Sequence, residues 1–340
     1  MLRSKDIVNK NNKEPLLFQI IDWSNNDIDL KNDDEEESDD ESNNKYKKKK
    51  RLALRGYGVT NKGHSISIHI FNFRHYFYVK IPQNWTELTF RSFKNTCIGK
   101  IPEYLQDGLY EFKMVYRKDF YGFTNNKSFK FAYLSFKNQR CYYGFKRLFT
   151  ESSEKKIYIG KLKQYFDFSK KLYETKVPPL LRFFHNNDLN PSSWMKIDDE
   201  KYILNVPKQT RAQIDISVDA KHIEPIDLKQ TPKIIVASFD IECTSCDGAF
   251  PKFTRPDDPI IQIGTSAYIY GDDNCALKYV CTLKKSNPVD GMIVESYENE
   301  RDLLIGWAKF IEKLDPDIMT GYNIWGFDWE YIYERAKMQN

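Results

Sequence analysis

Two acidic residues at the end of an apolar segment are the first feature of this sequence that could do chemistry. Asp240 and Glu242 directly follow the apolar run 234–239. In a β-strand alternate side chains share a face, so Asp240 and Glu242 should project together while Ile241 points the other way. Two carboxylates held side by side form an oxygen-only site, which suits Mg²⁺ or Mn²⁺. The spacing therefore predicts a divalent-cation site at a strand terminus.

A second acidic element lies near the C-terminus, in the segment 323–328, which ends in Phe327 and Asp328. It falls at another strand-to-helix junction, so the two acidic elements together predict metal-assisted cleavage of a phosphodiester. An isolated Asp-x-Glu triplet is weak evidence, because Asp328-Trp-Glu330 also has this spacing. The alternative for a single triplet is a solvated strand end. The pairing of the two elements favours the metal site.

Composition sets broad limits on the protein. Its 340 residues can form two domains, and 23 Phe, 22 Tyr and 6 Trp supply ample core material. A net charge of +4 does not by itself indicate a nucleic-acid partner. No apolar run approaches the roughly 20 residues of a membrane span, and no secretory signal is evident, which predicts a soluble intracellular protein. The lone pair Cys243 and Cys246 is predicted to consist of reduced thiols rather than zinc ligands.

A charged segment interrupts the N-terminal part. Residues 33–41 are almost entirely acidic and residues 45–51 are mostly basic. Such a sequence buries too little apolar surface to offset the entropy of ordering, so residues 28–51 are predicted to form a disordered insertion or an exposed loop. The basic run could be a nuclear localisation signal, a phosphate contact, or a solvated partner of the acidic block.

The region after this insertion is predicted to be rich in β-strands. Residues 52–59 and 65–71 flank a turn that contains Gly63, which predicts a hairpin. Residues 113–147 interleave basic and aromatic side chains. Within them, segment 131–136 fits the second half of an RNA-recognition strand, although the basic-Gly pair that should precede it is absent. The alternative, an ordinary amphipathic strand, is favoured by the sequence alone.

From residue 231 the pattern changes to a different order of elements. Three predicted strands are followed by a helix that Asn299 can cap, a strand near 318–322, and a second helix from about Phe327. This is the ribonuclease H-like order. We therefore predict an α/β (α+β) fold, with a β-rich N-terminal domain over residues 1–230 and a ribonuclease H-like domain over residues 231–340.

At this point the sequence resembles a known family. Segment 238–243, with Phe250-Pro251 and segment 258–263, resembles the first exonuclease motif of B-family DNA polymerases, particularly the delta-type enzymes and those of large DNA viruses. Segment 315–323, followed by 327–336, is similar to the second exonuclease motif. Shorter stretches upstream, at 58–60, 76–78 and 181–194, resemble the amino-terminal domain of that family, so the likeness covers most of the chain.

The resemblance implies DNA replication with 3′→5′ proofreading by two Mg²⁺ or Mn²⁺ ions, roughly 3.5–4 Å apart. Asp240 would bridge both ions, Glu242 would bind the ion that carries the attacking water, and Asp328 would support the second ion. Asn323 and Phe327 would hold the terminal nucleotide. The structural alternatives are a left-handed turn residue for Asn323 and a core anchor of the helix for Phe327.

The family's third exonuclease motif, Tyr-x-x-x-Asp, is expected beyond Asn340. The exonuclease domain is therefore expected to be incomplete at its C-terminus and the metal site to be short of one carboxylate. The implied partners are DNA with a single-stranded 3′ end or a primer–template, the remaining polymerase part if it is separately encoded, and a sliding clamp. An intracellular location is implied, which for a viral protein is a host nucleus or a cytoplasmic viral factory. The alternatives are a stand-alone nuclease that uses Glu330 or Glu334, and a non-catalytic nucleic-acid-binding module.

Overall fold

A computed structural model describes residues 2–3, 14–29, 49–150 and 156–339. Residues 30–48, which include most of the predicted charged insertion, lie outside the described residues. The outer residues of that prediction, 28–29 and 50–51, belong to strands, so the prediction is wrong at its two ends. Among the described residues, no helix has both the length and the apolar character that a membrane span requires.

The described part of the chain before residue 231 contains thirteen strands and four α-helices. The strands are β1 (Leu16–Asp29), β2 (Lys50–Thr60), β3 (Ser65–Phe71), β4 (His75–Lys80), β5 (Leu109–Lys118), β6 (Ser128–Phe136), β7 (Lys156–Ile159), β8 (Gln164–Asp167), β9 (Leu172–Tyr173), β10 (Trp194–Ile197), β11 (Tyr202–Leu204), β12 (Ile214–Asp219) and β13 (Glu224–Pro225). The helices are α1 (Glu87–Gly99), α2 (Glu103–Gln106), α3 (Gln139–Thr150) and α4 (Pro179–Asn186).

The described residues after 231 contain five strands and two helices. These are β14 (Ile235–Cys243), β15 (Ile260–Ile269), β16 (Leu277–Leu283), β17 (Ile293–Tyr297), α5 (Glu300–Leu314), β18 (Ile318–Thr320) and α6 (Asp328–Met338). Asn299 caps α5 as predicted, because its side chain accepts a hydrogen bond of 2.9 Å from the Asp302 amide.

The N-terminal part is built on a seven-stranded sheet in the order β11-β12-β3-β2-β1-β10-β13. Strands β2 and β3 form the predicted antiparallel hairpin, and Gly63 in its turn has a φ of 81°, which a residue with a side chain rarely adopts. Alternate side chains of these strands, such as Leu54 and Ile68, are fully buried in the core beneath the sheet. The prediction of a β-rich N-terminal region is confirmed.

A second sheet of the N-terminal part has four strands in the order β5-β6-β4-β9. Helices α1 and α3 pack on one of its faces through an aromatic core in which Phe77, Phe93 and Phe145 are fully buried. Strands β7 and β8 form a separate two-stranded antiparallel pair.

The C-terminal part carries a five-stranded mixed sheet in the order β17-β16-β15-β14-β18. Helix α5 covers one face of this sheet with Leu303 and Trp307. The sequence-based order of elements omitted β17, which pairs in parallel with β16. The reason is that β17 is an edge strand whose residues are all exposed or half-buried, so its sequence lacks the apolar alternation that marks a strand.

Candidate functional site

Strand β14 positions the first two predicted site residues. Its buried residues Phe239 and Ile241 face α5 and α6, whereas Asp240 and Glu242 are exposed on the opposite face. Asp240 pairs across the sheet with Gly264 and Glu242 pairs with Gln262. The two carboxylates therefore share a face, as the strand period predicts.

Strand β18 brings the third predicted residue to the same end of the sheet. It runs parallel to β14, with Ser238 opposite Thr320, so the carboxyl ends of the two strands are neighbours. The Asp317 carboxylate fixes this alignment, because it accepts a hydrogen bond of 2.7 Å from the Ile235 amide and pairs with the buried Arg3 at 2.7 Å. From β18 the chain turns through residues 321–327 and enters α6 at Asp328.

Asp328 is the buried acid of the site, with an exposed fraction of 2%. Its Oδ1 accepts a hydrogen bond of 3.1 Å from the Ile241 amide, and the Asp240 carboxyl lies close enough to act on its charge. Burial raises the pKa of Asp328 above its ordinary value, and the neighbouring Asp240 adds to the rise, while the Ile241 amide opposes it. Its position in the first turn of α6 places a negative charge at the favourable end of the helix dipole.

The turn between β18 and α6 holds the other two predicted site residues. Asn323 has a φ of 52°, and its carbonyl oxygen accepts hydrogen bonds from the Gly326 and Phe327 amides at 2.9 and 3.2 Å. The ring of Phe327 is half-buried and lies 5.2 Å from that of Tyr331 in α6. Asn323 thus shapes the turn and Phe327 anchors the start of the helix. Phe327 directly precedes Asp328 and Asn323 lies in the turn that leads to it, and the ligand-binding role of both residues stays a prediction.

Three exposed aromatic side chains surround this turn and were given no role from the sequence. Tyr322 and Trp325 have exposed fractions of 93% and 84%. Phe250 is 72% exposed, and its ring lies 5.2 Å from that of Phe327. For Tyr322 and Trp325 the sequence contains one indication of such a role, because both lie within two residues of Asn323 in one short turn. Exposed rings next to carboxylates provide surfaces on which a nucleobase can stack.

A groove of about 590 Å³ runs from Asp240 across the uncovered face of the sheet. Its floor includes Gly264 and Val280, and its walls include Met292 and Tyr322. A methyl group added at Gly264 would meet no atom within 4 Å, so the space next to Asp240 is open. The groove can therefore admit an extended ligand to the carboxylates.

The loop 244–259 is held against the site by a buried ion pair. Arg335 of α6 and Glu300 of α5 are 2% and 6% exposed, and the Arg335 Nε donates to Glu300 at 2.8 Å. The same guanidinium donates to the carbonyl oxygens of Arg255 at 2.7 Å and Pro256 at 3.2 Å. Glu300 in turn accepts from the Ile260 amide at 2.8 Å. These contacts fix the loop that carries Phe250.

The structure brings Asp240 and Asp328 together, with Glu242 on the same face as Asp240. Within the described ranges, no group of three or more His, Cys, Asp or Glu side chains is arranged to hold a metal ion. Glu334 of α6 is instead paired with Lys337 at 2.8 Å. The cysteines 243 and 246 are free thiols, as predicted.

The donor set nevertheless fits a divalent cation. The carboxyl groups of Asp240 and Asp328 lie near each other, and among the described residues no ion pair involves Asp240, Glu242 or Asp328. Such a pair of like charges is most stable when a cation is bound between them. These are all oxygen donors, which favours Mg²⁺ or Mn²⁺ over a soft metal.

Gly321 is the residue that allows β18 to approach β14 so closely. A Cβ at this position would overlap the carbonyl oxygen of Phe239 and the side chain of Ile324. We expect Gly321→Ala to destabilise the protein by about 1–3 kcal/mol through this overpacking and to displace Asp328. Gly264→Ala is the matched control, because its added methyl meets open space and should leave the thermal midpoint unchanged. Equal thermal midpoints for the two variants in calorimetry would show that the close packing around position 321 does not require glycine.

Comparison with known proteins identifies the family. Residues 170–340 match the family model for "DNA polymerase family B, exonuclease domain". The DNA polymerase of Acanthamoeba polyphaga mimivirus is 34% identical over 82% of this chain and 16% of the viral protein. The DNA polymerase delta catalytic subunit of Plasmodium falciparum is 30% identical over 84% of this chain and 26% of that protein.

A solved structure shows the same fold. The family B DNA polymerase from the hyperthermophilic archaeon Pyrobaculum calidifontis superimposes with a TM-score of 0.60 and 18% identity, covering 95% of this chain and 32% of that one. This chain thus spans a third or less of each of these three proteins. The predicted α/β architecture, a β-rich N-terminal region followed by an exonuclease domain, is confirmed. The boundary at residue 231 stays a prediction.

The matched exonuclease domain, the viral and delta-type relatives and the shared fold agree with one another. The chain belongs to the B family of DNA polymerases.

Proposed function

We propose that this chain supplies the N-terminal and exonuclease portion of a DNA-directed DNA polymerase, and that the site on β14 and α6 removes nucleotides from a single-stranded 3′ end. The observation that carries the proposal is the proximity of Asp240 and Asp328, which are 88 positions apart in the sequence. Asp240 lies near the carboxyl end of β14, and Asp328 begins the helix that follows the neighbouring parallel strand β18. An oxygen-only pair of acids beside an open groove is suited to metal-assisted phosphodiester hydrolysis.

Asp240, Glu242 and Asp328 would hold the divalent ions. When bound, such ions supply a nucleophilic water at neutral pH and stabilise the charge on the leaving 3′ oxygen. The Ile241 amide orients the Asp328 carboxylate, because it donates to Oδ1 and leaves the second oxygen available. A further carboxylate from the third exonuclease motif of the family would complete the set.

The substrate would lie along the groove with its terminal nucleotide at the turn 321–327. Phe327 packs between Phe250 and Tyr331, at 5.2 Å from each ring, and can present its edge to a sugar or base. Asn323 would donate a hydrogen bond to the same nucleotide. Tyr322 and Trp325 would stack on the bases behind it, which binds single strands without sequence preference.

The DNA polymerase relatives favour DNA as the substrate. The remaining polymerase part would provide synthesis, and a sliding clamp would hold the assembly on the primer–template. For a viral protein, the place of action would be a host nucleus or a cytoplasmic viral factory.

The test is digestion of a 5′-labelled single-stranded oligodeoxynucleotide in Mg²⁺ or Mn²⁺, by this chain within the full polymerase. We expect stepwise release of nucleotides that EDTA stops. Unchanged release by an Asp240→Ala variant would reject the carboxylate site as its source.

Asp328 should make the stability of the metal-free protein depend on pH. Because its folded pKa is raised, its contribution to stability is fully present below the unfolded pKa and is lost as the pH rises through the folded pKa. An asparagine at this position would keep an acceptor for the Ile241 amide but cannot ionise. We therefore expect Asp328→Asn to raise the thermal midpoint in EDTA at pH 7 by about 2–4 °C, the shift that about 1 kcal/mol produces.

This gain should shrink as the pH falls towards the ordinary range for an aspartate, near about 4. Calorimetry at several pH values in EDTA measures the effect. Glu330→Gln is the matched control, since Glu330 is exposed on the same helix and should change the midpoint little. A lower midpoint for Asp328→Asn at pH 7 would contradict the assignment of a raised pKa.

A further inference from the structure

The four-stranded sheet of the N-terminal part has a topology used by single-strand-binding domains. The chain order β4, α1, β5, β6, α3, β9 gives the sheet order β5-β6-β4-β9, with the short α2 inserted between α1 and β5 and the β7–β8 pair inserted between α3 and β9. All pairings are antiparallel. This is the split β-α-β arrangement, in which two helices cover one face and the two central strands present aromatic residues on the other.

The two central strands, β4 and β6, carry tyrosines on that second face. Tyr78 lies directly opposite Tyr133, with ring centroids 5.4 Å apart, and Tyr76 lies 5.2 Å from Tyr133. The Arg182 guanidinium covers Tyr76 at 3.8 Å from its ring, and Tyr173 covers Phe131 at 5.2 Å. Tyr78 and Tyr133 remain half-buried at the centre of the face.

The loop between β5 and β6, residues 119–127, extends this face with exposed rings. Phe120, Tyr121 and Phe123 have exposed fractions of 86%, 72% and 96%. The base of the loop is fixed, because the Asp119 carboxylate accepts from Tyr173 Oη at 3.0 Å and from the Tyr121 amide at 3.1 Å. The Tyr121 ring lies 5.8 Å from that of Tyr173 and 5.7 Å from that of Phe120, which holds the loop against the sheet. Phe120 and Phe123 nevertheless keep most of their surface exposed.

The charges around these rings are mainly positive. The strand β5 ends in Arg117 and Lys118, and Lys127 lies at the far end of the loop; all three are exposed. Lys113 lies 5.3 Å from the ring of Tyr133. The nearby acids are already paired, Glu111 with Lys113 at 2.9 Å and Asp119 with Lys80. A surface with excess basic charge and exposed aromatic rings is complementary to a single-stranded polyanion whose bases can stack.

We propose that this surface, formed by Tyr78, Tyr133 and the loop 119–127, binds single-stranded DNA. Bases stack on Phe120 and Phe123, and phosphates contact Arg117, Lys118 and Lys127. The choice of DNA follows from the DNA polymerase relatives. The surface belongs to a different sheet from the carboxylates at Asp240, so binding here does not depend on the exonuclease assignment. The sequence of β6 alone favours an ordinary amphipathic strand. The neighbouring loop 119–127 supplies the exposed aromatic rings and basic side chains that the strand itself does not have.

Fluorescence anisotropy tests the proposal, with a labelled 12-nucleotide oligodeoxythymidylate and the full chain in EDTA, which prevents digestion. The double variant Phe120→Ala, Phe123→Ala should raise Kd by at least about tenfold, because losing the stacking of even one base on an aromatic ring weakens binding by about this factor. The double variant Lys118→Gln, Lys127→Gln should reduce the slope of log Kd against log salt by about 1.4, or about 0.7 for each phosphate contact. Tyr165→Ala is the matched control, because Tyr165 is 58% exposed on the separate β7–β8 pair and should leave Kd unchanged.

Four results would overturn the proposal. The first two are wild-type affinity in the phenylalanine double variant and no saturable binding by the wild type below about 100 µM. The third is tighter binding of the matching oligoribonucleotide. The fourth is a lower thermal midpoint in the phenylalanine double variant, which would show that the rings pack within the protein. The tenfold difference should persist in an Asp240→Ala background. If the digestion assay fails but the tenfold difference in Kd is still measured, the proposed exonuclease function is rejected and the DNA-binding surface is not.

Discussion

Replacing Asp240 with alanine is expected to reduce the metal-dependent release of 3′-terminal nucleotides by at least about a hundredfold. Loss of a group that only supports a metal ligand costs about 10–100-fold, and Asp240 is proposed to bind the ions directly. It is the exposed member of the contacting pair with Asp328, so its removal leaves one buried acid at the centre of the site. The defect should appear in the rate at saturating substrate.

The fold should survive this substitution. Asp240 is exposed, and the core face of β14 is formed by its neighbours Phe239 and Ile241. In EDTA the thermal midpoint should stay equal to that of the wild type or rise, because a repulsive contact with Asp328 is removed.

Asp272→Ala serves as the control for general loss of negative charge, since this exposed aspartate lies in the β15–β16 turn of the same sheet. Digestion of a labelled oligonucleotide measures the activity of each variant, and calorimetry of the same samples measures its thermal midpoint. A variant that keeps wild-type digestion, or that loses activity only because it unfolds, would remove Asp240 from the proposed ligand set.

Much of the C-terminal fold could be predicted because its elements have strong local signals. The run 234–239 is apolar and directly precedes Asp240, which identifies both the strand and its functional end. The Asn299 cap marks the start of α5 in the same way. The sequence also places Asp240 at the end of a predicted strand and Asp328 near the start of a predicted helix, but their proximity depends on the turn 321–327 between β18 and α6.

Features that depend on contacts distant in sequence could not be predicted. Edge strand β17 is defined by pairing with β16 and not by its own pattern. The exposure of Tyr322 and Trp325 depends on the left-handed turn at Asn323, and a tyrosine or tryptophan is usually read as core material. The aromatic face of the four-stranded sheet exists only once β4 and β6 are adjacent and in register. In each case the decisive partner comes from elsewhere in the chain.

The buried ion pair between Arg335 and Glu300 is a further feature that no local pattern revealed, and its disruption should have the largest effect on stability. Replacing Arg335 with methionine removes the cation that pairs with the buried Glu300 carboxylate, which keeps only neutral donors such as the Ile260 amide. It also removes the donor to the carbonyl oxygens of Arg255 and Pro256. Removing one partner of a buried pair typically costs about 3–5 kcal/mol. We expect a loss of this size in the unfolding free energy of the C-terminal part, with the loop 244–259 released.

Urea unfolding followed by hydrogen exchange of the β14 and β15 amides would measure this loss and localise it. Lys337→Met is the matched control, because Lys337 pairs with Glu334 on the exposed side of the same helix, and such pairs contribute about 0–1 kcal/mol. The double variant Arg335→Met, Glu300→Gln should recover part of the stability, since it no longer buries an unpaired charge. If Arg335→Met and Lys337→Met lowered stability equally, the ion pair would not be what holds the loop and its Phe250 ring against Phe327. If only Arg335→Met lowers the unfolding free energy strongly and also slows digestion, then α6 stabilises the site as well as the strands do.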